Sequence, residues 1–207
     1  MKTIKEIYTS TITIQKSEFI CHVFPVNTVE EANTYLANIR KNCYGYIIGN
    51  NGEIAKYSDD GEPSQTAGVV IYDVLKKNDL TNVLAIVTRY FGGIKLGAGG
   101  LVRAYSGSTK EGLLASKVIT KMHGQQLTID TDYTGLGKIQ YILGQRGIRI
   151  LDSVYTDKVE LEVLLPEAEI GTVMSEIREG TNGQAIMELS EECYFAEIDG
   201  EMQIFED

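Results

Sequence analysis

The sequence has 207 residues, of which 43% are apolar and 23% are charged, proportions that are ordinary for a globular protein. This length accommodates two domains of roughly 100 residues each. No apolar run approaches the roughly 18 residues of a membrane span, and the polar start is unlike a signal peptide. We therefore expect a cytoplasmic protein with no membrane contact, whose Cys21, Cys43 and Cys193 are reduced thiols.

The net charge of −10 is unevenly distributed along the chain. Residues 1–124 carry 14 basic and 11 acidic side chains, whereas residues 125–207 carry 5 basic and 18 acidic ones. Within residues 85–124 there are six basic side chains and a single acidic one. This asymmetry favours a negatively charged partner for the first half and a second half that repels such a partner.

The first half of the chain predicts an α+β sandwich with two or three helices on one side of a sheet of four or five strands. Alternating polarity predicts the early strands, and an uninterrupted β-branched apolar run predicts a buried one. The predicted elements are the strands Thr9–Ile14, Glu18–Val26, Cys43–Ile48, Glu53–Tyr57 and Val83–Thr88, and helices from Thr28 to Lys41, from Pro63 to Lys77 and from Leu101 to Lys117.

A tight acidic cluster of Asp59, Asp60 and Glu62 precedes the second of these helices. Such carboxylates can accept hydrogen bonds from backbone N–H groups, pair with Arg89 or Arg103, or hold Mg²⁺. Acid–base catalysis is a further reading of the same residues. We favour capping or pairing, and we expect neither a bound metal nor a catalytic role.

The hydroxyl and imidazole groups of the first half give no catalytic set. Ser64 and Thr66 can donate hydrogen bonds to a bound phosphate, although Ser64 also fits the N-cap of a helix. No G-x-S-x-G elbow is present, and His22 and His123 lie at neither a ligand nor a triad spacing from a cysteine or serine.

A glycine-rich stretch follows the buried strand and leads into the third helix. Backbone N–H groups converge in such a stretch, and the helix dipole adds partial positive charge at the same place. Arg89, Lys95 and Arg103 flank or interrupt it, so the sequence predicts an anion site, although glycines also permit a tight turn alone. The pattern matches neither a P-loop nor a dinucleotide fingerprint. Its glycines are Gly92, Gly93, Gly97, Gly99 and Gly100.

Aromatic and basic side chains accompany this stretch. If Tyr90 and Phe91 are exposed, they can stack on nucleic-acid bases beside the anion site; if buried, they belong to the core. Arg103, Lys110 and Lys117 recur every seven residues and so fall on one face of a helix. This basic stripe either extends the anion site or only solvates the helix.

A boundary near residues 122–126 divides the chain into predicted domains 1–124 and 125–207. The second domain has the order β-α-β-β-α-β, which is that of a ferredoxin-like fold. Its predicted strands are Gln126–Tyr133, Ile148–Thr156, Lys158–Leu165 and Ala185–Ile198, and its predicted helices are Leu136–Arg146 and Ile170–Glu179.

Two long motifs, SDDGEPSQTAG at Ser58–Gly68 and VTRYFGGIKLGAGGLVRAY at Val87–Tyr105, are similar to the paired signature of the bacterial branch of the IMPACT family. The resemblance implies a first domain like the second domain of a small-subunit ribosomal protein and like domain four of elongation factor G. It implies a second domain like domain five of that factor. Two positions depart from the family pattern, with Lys41 in place of a histidine and Gln65 in place of a glycine.

We therefore expect a non-enzymatic binding protein of translation or its regulation, without a cofactor, whose first domain contacts the phosphates of RNA or the ribosome. The resemblance also implies a protein partner, because eukaryotic relatives act in translational control through protein contacts. The alternative is an enzyme or sensor for a small phosphorylated ligand, bound by the glycine-rich stretch together with Asp59, Asp60 and Glu62.

Overall fold

The computed structural model describes residues 1–40 and 42–205, so the departure at Lys41 lies outside the described residues. The chain divides into two compact units, 1–120 and 121–207. Within the described residues each unit combines antiparallel strands with helices, and the two units together contain five helices, which is an α+β architecture. The predicted boundary after residue 124 lies a few residues further on, inside a strand that begins at Met122.

The first unit is built on a five-stranded antiparallel sheet in the order β2-β3-β6-β4-β5. Two further strands, β1 and β7, pair with each other as a separate two-stranded sheet, and Lys2 of β1 also forms an isolated bridge with Leu80. The elements are β1 (Lys2–Ile4), β2 (Tyr8–Ile14), β3 (Ser17–Pro25), α1 (Val29–Asn38), β4 (Cys43–Ile48), β5 (Ile54–Ser58), α2 (Gly68–Lys77), β6 (Val83–Tyr90), α3 (Gly97–Ala115) and β7 (Val118–Thr120).

The central strand β6 is buried on both of its faces. Val83, Ala85 and Val87 pack in the core that contains α2 and α3, whereas Leu84 and Ile86 pack in the core that contains α1. Helices α2 and α3 therefore lie on one side of the sheet, within the two or three expected there, and α1 lies on the other side. The continuous apolar run of β6 reflects this arrangement, because a strand covered on both faces has no polar face to alternate with.

Helix α2 begins at Gly68, five residues later than the prediction from Pro63. Gln65 has a φ of 64°, which is left-handed and incompatible with a right-handed helix. Thr66 N–H instead donates to the carbonyl of Pro63 at 3.1 Å, which closes a turn. At Gln65 a glycine, the usual residue in the family pattern, would adopt this φ without strain.

The second unit has the element order β-α-β-β-α-β, followed by one additional strand. Its antiparallel sheet has the order β12-β11-β8-β10-β9, and residues of α4 and α5 pack with β8 and β10 in a single apolar core. The elements are β8 (Met122–Thr131), α4 (Tyr133–Gln145), β9 (Ile150–Tyr155), β10 (Val159–Pro166), α5 (Glu167–Gly180), β11 (Ile186–Ile198) and β12 (Glu201–Phe205). Among the described residues, no helix combines the length and apolar character needed to cross a bilayer.

His123 links two elements of the second unit. Its Nδ1 lies 3.0 Å from a carboxylate oxygen of Glu167, the first residue of α5, and its Nε2 lies 3.3 Å from one of Glu192 in β11. The hydrogen bond with Glu167 raises the pKa of the imidazole above its ordinary value, and the charge of Glu192 acts in the same direction. The protonated form is therefore the one that joins α5 to β11.

We expect this link to make the stability of the second unit depend on pH. Because the folded pKa is raised, the stabilisation is fully present below the ordinary value of 6.5 and is lost as pH rises through the folded pKa. In thermal melts across this range, the melting temperature of the wild type should exceed that of His123→Gln at acidic pH, and the difference should shrink at alkaline pH. A constant difference at all pH values would contradict the assignment.

Candidate functional site

Four segments of the first unit surround a cavity of about 320 Å³. They are the start of β4, the loop between β5 and α2, the end of β6 with the loop that follows it, and α3. The residues that line the cavity are Cys43, Asp60, Gly61, Glu62, Arg89, Phe91 and Tyr105. The two sequence motifs, Ser58–Gly68 and Val87–Tyr105, therefore meet at one place.

A mostly buried ion pair joins the two motifs. Arg89 Nη1 lies 2.9 Å from Glu62 Oε1, and the two side chains are only 13% and 18% exposed. The hydroxyl of Tyr105, on α3, donates to the same Glu62 oxygen at 2.9 Å. Glu62 thus connects the loop before α2 to both β6 and α3.

The guanidinium of Arg89 is further held by aromatic rings. It lies 5.3 Å from the ring centre of Phe91 and 5.6 Å from that of Phe19, and its Nη2 lies 3.4 Å from Ser17 Oγ. Its Nε is buried and has no acceptor among the described residues. Arg89, predicted as a binding residue, is therefore largely engaged by the protein itself.

Cys43 and Tyr105 form the floor of the cavity in their protonated states. The Cys43 thiol lies 3.1 Å from the carbonyl oxygen of Asp59 and 3.4 Å from the Tyr105 hydroxyl. Burial raises the pKa of the Cys43 thiol to about 12, and the hydrogen bond with Tyr105 opposes this only in part. Burial also raises the pKa of Tyr105 far above its ordinary value. A thiol that stays protonated is a poor nucleophile, so the structure gives Cys43 no nucleophilic role.

The three carboxylates of the acidic cluster have different partners. Asp59 accepts the backbone N–H groups of Gln65, Ala67 and Gly68 at 2.9, 3.0 and 2.8 Å, so it caps α2. Asp60 accepts the backbone N–H of Asn42, and Glu62 forms the ion pair. Both readings favoured from the sequence are present, each at a different residue: Asp59 caps, and Glu62 pairs with Arg89.

No group of three or more histidine, cysteine, aspartate or glutamate side chains is arranged to hold a metal ion within residues 1–40 and 42–205. Ser64 is exposed but does not cap α2. The N-cap residue is Ala67, and the carboxylate of Asp59 accepts the backbone N–H at that position. Thr66 is buried and donates its hydroxyl to the Pro63 carbonyl at 2.6 Å. That hydroxyl proton is therefore not free to bind a phosphate.

The predicted glycine-rich turn is shorter than expected because α3 begins at Gly97 rather than at Leu101. Gly97, Gly99 and Gly100 belong to the first turn of the helix, and only Gly92 and Gly93 lie in the loop of residues 91–96. The glycines also serve different purposes. Gly93 and Gly97 have φ of 86° and 68°, whereas a Cβ on Gly92 would lie 1.9 Å from the carbonyl oxygen of Lys16. Gly99 has no such constraint.

The start of α3 carries no side-chain cap. Its N-cap residue, Leu96, makes no side-chain hydrogen bond to the first turn. The N–H groups of a first turn have no partner within the helix, so at α3 they are available to an acceptor from outside. Lys95 and Arg103 are exposed next to this turn and form no ion pair with any described residue.

Two aromatic rings, at the end of β6 and at the start of the loop that follows it, are exposed. Tyr90 is 59% exposed and Phe91 is 60% exposed, which decides between the two readings that the sequence left open. Tyr105, which follows Arg103 by two residues, is 1% exposed and belongs to the core. A single basic stripe along α3 does not form, because the helix ends at Ala115 and leaves Lys117 beyond it. Lys110 remains exposed on the helix and lines a separate groove.

The sequence places this chain among known proteins. Residues 15–113 match the model of the Impact N-terminal domain, and residues 129–184 match a domain of unknown function, DUF1949. The chain is 42% identical over 199 residues to the IMPACT family member YvyE of Bacillus subtilis, covering 93% of this chain and 92% of that one. The chain belongs to the IMPACT family.

Two further comparisons extend over most of this IMPACT family chain. It is 31% identical over 179 residues to the IMPACT family member YigZ of Escherichia coli, covering 82% of this chain and 88% of that one. A solved structure described as that of a hypothetical protein superposes with a TM-score of 0.57 at 29% identity, covering 90% of this chain and 95% of that one. The relatives therefore share both units rather than one of them.

The capping role of Asp59 gives a direct test of the acidic cluster. We expect Asp59→Ala to lower the free energy of unfolding by roughly 1–3 kcal/mol, because three backbone N–H groups lose their acceptor. Asp73 is an exposed aspartate of α2 whose side chain forms no hydrogen bond or ion pair with a described residue, so Asp73→Ala is the matched control and should change little. Added Mg²⁺ should leave the melting temperature of the wild type unchanged. A magnesium-dependent rise that Asp59→Ala abolishes would instead establish a metal site.

Proposed function

We propose that this IMPACT family member is a non-enzymatic, cytoplasmic binding protein of translation or its regulation, and that its first unit contacts RNA phosphates on the ribosome or on another RNA. The observation that carries the proposal is the start of α3. There an uncapped helix N-terminus and two cations without ion pairs occur together, and the loop that leads to them begins at the exposed ring of Phe91.

The electrostatics of this place favour an anion. The free N–H groups of the first turn and the dipole of a 19-residue helix add partial positive charge. Gly97, Gly99 and Gly100 leave the backbone of that turn open to close approach, since they carry no side chain. Lys95 and Arg103 add full charges next to it. A phosphate group at this position would accept from the backbone and pair with both side chains.

The aromatic rings favour a nucleic acid over a free anion. Unpaired bases of RNA stack on exposed aromatic side chains, and such stacking contributes roughly 1–3 kcal/mol per base. Phe91 begins the loop that leads to α3, whereas Tyr90 ends β6 on the face of the sheet that packs against α1. An RNA strand that places a phosphate at the helix N-terminus therefore has the ring of Phe91 close by along the chain.

The distribution of charge between the two units favours RNA binding to the first unit. Residues 125–207 carry 18 acidic against 5 basic side chains, and this excess repels a polyanion. RNA would bind to the first unit and avoid the second. A protein partner of the translation apparatus, which the family resemblance implies, would then be the natural occupant of the acidic unit.

The domain types form part of the same proposal. We assign the first unit to the fold shared by the second domain of a small-subunit ribosomal protein and domain four of elongation factor G. We assign the second unit to the ferredoxin-like fold, which its strand order β11-β8-β10-β9 and its two helices support. Folds of this kind occur in proteins that contact ribosomal RNA, which agrees with the proposed partner.

A second candidate is an enzyme or sensor for a small phosphorylated ligand, and the cavity of about 320 Å³ is the observation in its favour. The lining of the cavity argues against a phosphate inside it. Asp60 and Glu62 are negative, the one lining arginine is already paired with Glu62, and the Cys43 thiol is protonated. We therefore place the phosphate at the start of α3, outside the cavity.

The salt dependence of RNA affinity tests the proposal. For single-stranded RNA, the logarithm of the association constant should fall with the logarithm of salt concentration by about 0.7 per phosphate contacted. Replacing Lys95 and Arg103 together by alanine should flatten this slope by about 1.4, since two contacts are lost.

The matched control replaces Lys138 and Lys158, two exposed lysines of the second unit, by alanine. This control should leave the slope unchanged. Equal slopes for all three proteins would remove the start of α3 from the RNA-binding surface. Absence of RNA binding by the wild type at low salt would overturn the proposed function.

A further inference from the structure

The cavity beside the start of α3 differs in chemistry from the basic surface around it. The surface offers positive charge, whereas the cavity offers carboxylate oxygens, an aromatic wall and one guanidinium. We propose that the cavity binds a single unpaired guanine base of the RNA whose phosphates lie at the start of α3. This inference rests on the proposed function and adds a base preference to it.

The cavity contains two carboxylate oxygens without a donor. Asp60 uses Oδ2 to accept the backbone N–H of Asn42, and Glu62 uses Oε1 to accept Arg89 and Tyr105. Asp60 Oδ1 and Glu62 Oε2 receive no hydrogen bond from any described residue. An ionised carboxylate is purely an acceptor, so a ligand that fits these oxygens must present N–H or O–H donors.

The wall of the cavity suits a flat ring. Phe91 is 60% exposed and also lines the cavity, and the Arg89 guanidinium lies 5.3 Å from the centre of its ring. The guanidinium of Arg89 contacts the phenyl ring of Phe91, and the exposed part of the ring remains available to a ligand. A volume of about 320 Å³ falls within the range of small-molecule pockets and exceeds what one base requires.

Guanine has the edge that complements this lining. Its Watson–Crick edge presents two adjacent donors, N1–H and the N2 amino group, followed by the O6 acceptor. Asp60 Oδ1 and Glu62 Oε2 can accept the two donors, and Arg89, which has five N–H groups, retains donors for O6. Adenine and cytosine place a ring-nitrogen acceptor beside their amino group, and uracil has a single N–H between two carbonyls. Each of those edges would direct a lone pair at a carboxylate.

The chain connects the base position to the phosphate position. Phe91 lines the cavity and is also the first residue of the loop 91–96. The first turn of α3 follows this loop directly. A nucleotide whose base stacks on Phe91 would thus have its backbone near Lys95 and the free N–H groups of the turn. Recognition of the base and binding of the phosphate are therefore adjacent along the chain.

The test compares short oligouridines that differ only at one central nucleotide, with binding followed by fluorescence anisotropy at one low salt concentration. The wild type should bind the oligomer with a central guanosine roughly tenfold more tightly than unsubstituted oligouridine, the discrimination typical of a paired set of base-edge hydrogen bonds. An oligomer with a central inosine, which lacks only the N2 amino group, should lose most of this advantage, and one with adenosine should show none.

Two variants assign the preference to the cavity. Asp60→Asn turns an acceptor-only group into one that also donates, so it should abolish the preference for guanosine over inosine while keeping the salt dependence. Phe91→Leu keeps an apolar side chain but removes the stacking ring, so it should weaken binding of the guanosine oligomer roughly tenfold. Asp73→Asn, which makes the same chemical change on α2 away from the cavity, should retain the full preference.

The outcomes separate this inference from the proposed function. Equal wild-type affinity for all the oligomers, with the salt dependence intact, would overturn the base site and leave the phosphate surface standing. A guanosine preference that survives both Asp60→Asn and Phe91→Leu would likewise overturn it. No binding of any oligomer at low salt would overturn both. The comparison of oligomers on the wild type requires no variant to fold.

Discussion

The ion pair between Arg89 and Glu62 is the interaction on which the candidate site depends. It joins the end of β6 to the loop before α2, and Tyr105 on α3 donates to the same carboxylate oxygen. With side chains only 13% and 18% exposed, each charge needs the other, because removing one partner of a buried pair leaves the second uncompensated. The two motifs of this chain therefore depend on each other for a physical reason: each supplies one member of the pair.

This arrangement divides the charged groups of the first unit by role. Arg89, Glu62 and Asp59 hold the segments together, whereas Lys95 and Arg103 remain exposed next to a helix N-terminus without a side-chain cap. Binding of an anion at that helix consequently requires no rearrangement of the buried network. Arg89 of the same network also contacts the ring of Phe91, which lines the cavity together with the carboxylates.

The sequence was most informative about local structure, where a short run of similar residues favours one conformation. The continuous apolar run Val83–Val87 predicts a buried strand, and all five of these residues are buried in β6. Contacts between distant segments were not predictable in this way. Asp59, Asp60 and Glu62 look equivalent in sequence, and only the fold decides which one meets Arg89. The helical conformation of Gly99 could not be predicted from the sequence either. Glycine has a low helix propensity, and packing of Leu101 and Ala104 in the core overrides it.

Ultraviolet cross-linking of the wild-type protein to single-stranded RNA, followed by mass spectrometry of the linked peptides, tests the central claim most directly. Such cross-links form where a base contacts a side chain, and stacked aromatic rings are favourable positions for them. We expect the links to fall at Phe91 and to diminish as salt is raised. Links confined to the second unit, or spread over the first unit without concentration at Phe91, would contradict the claim that RNA binds at the start of α3.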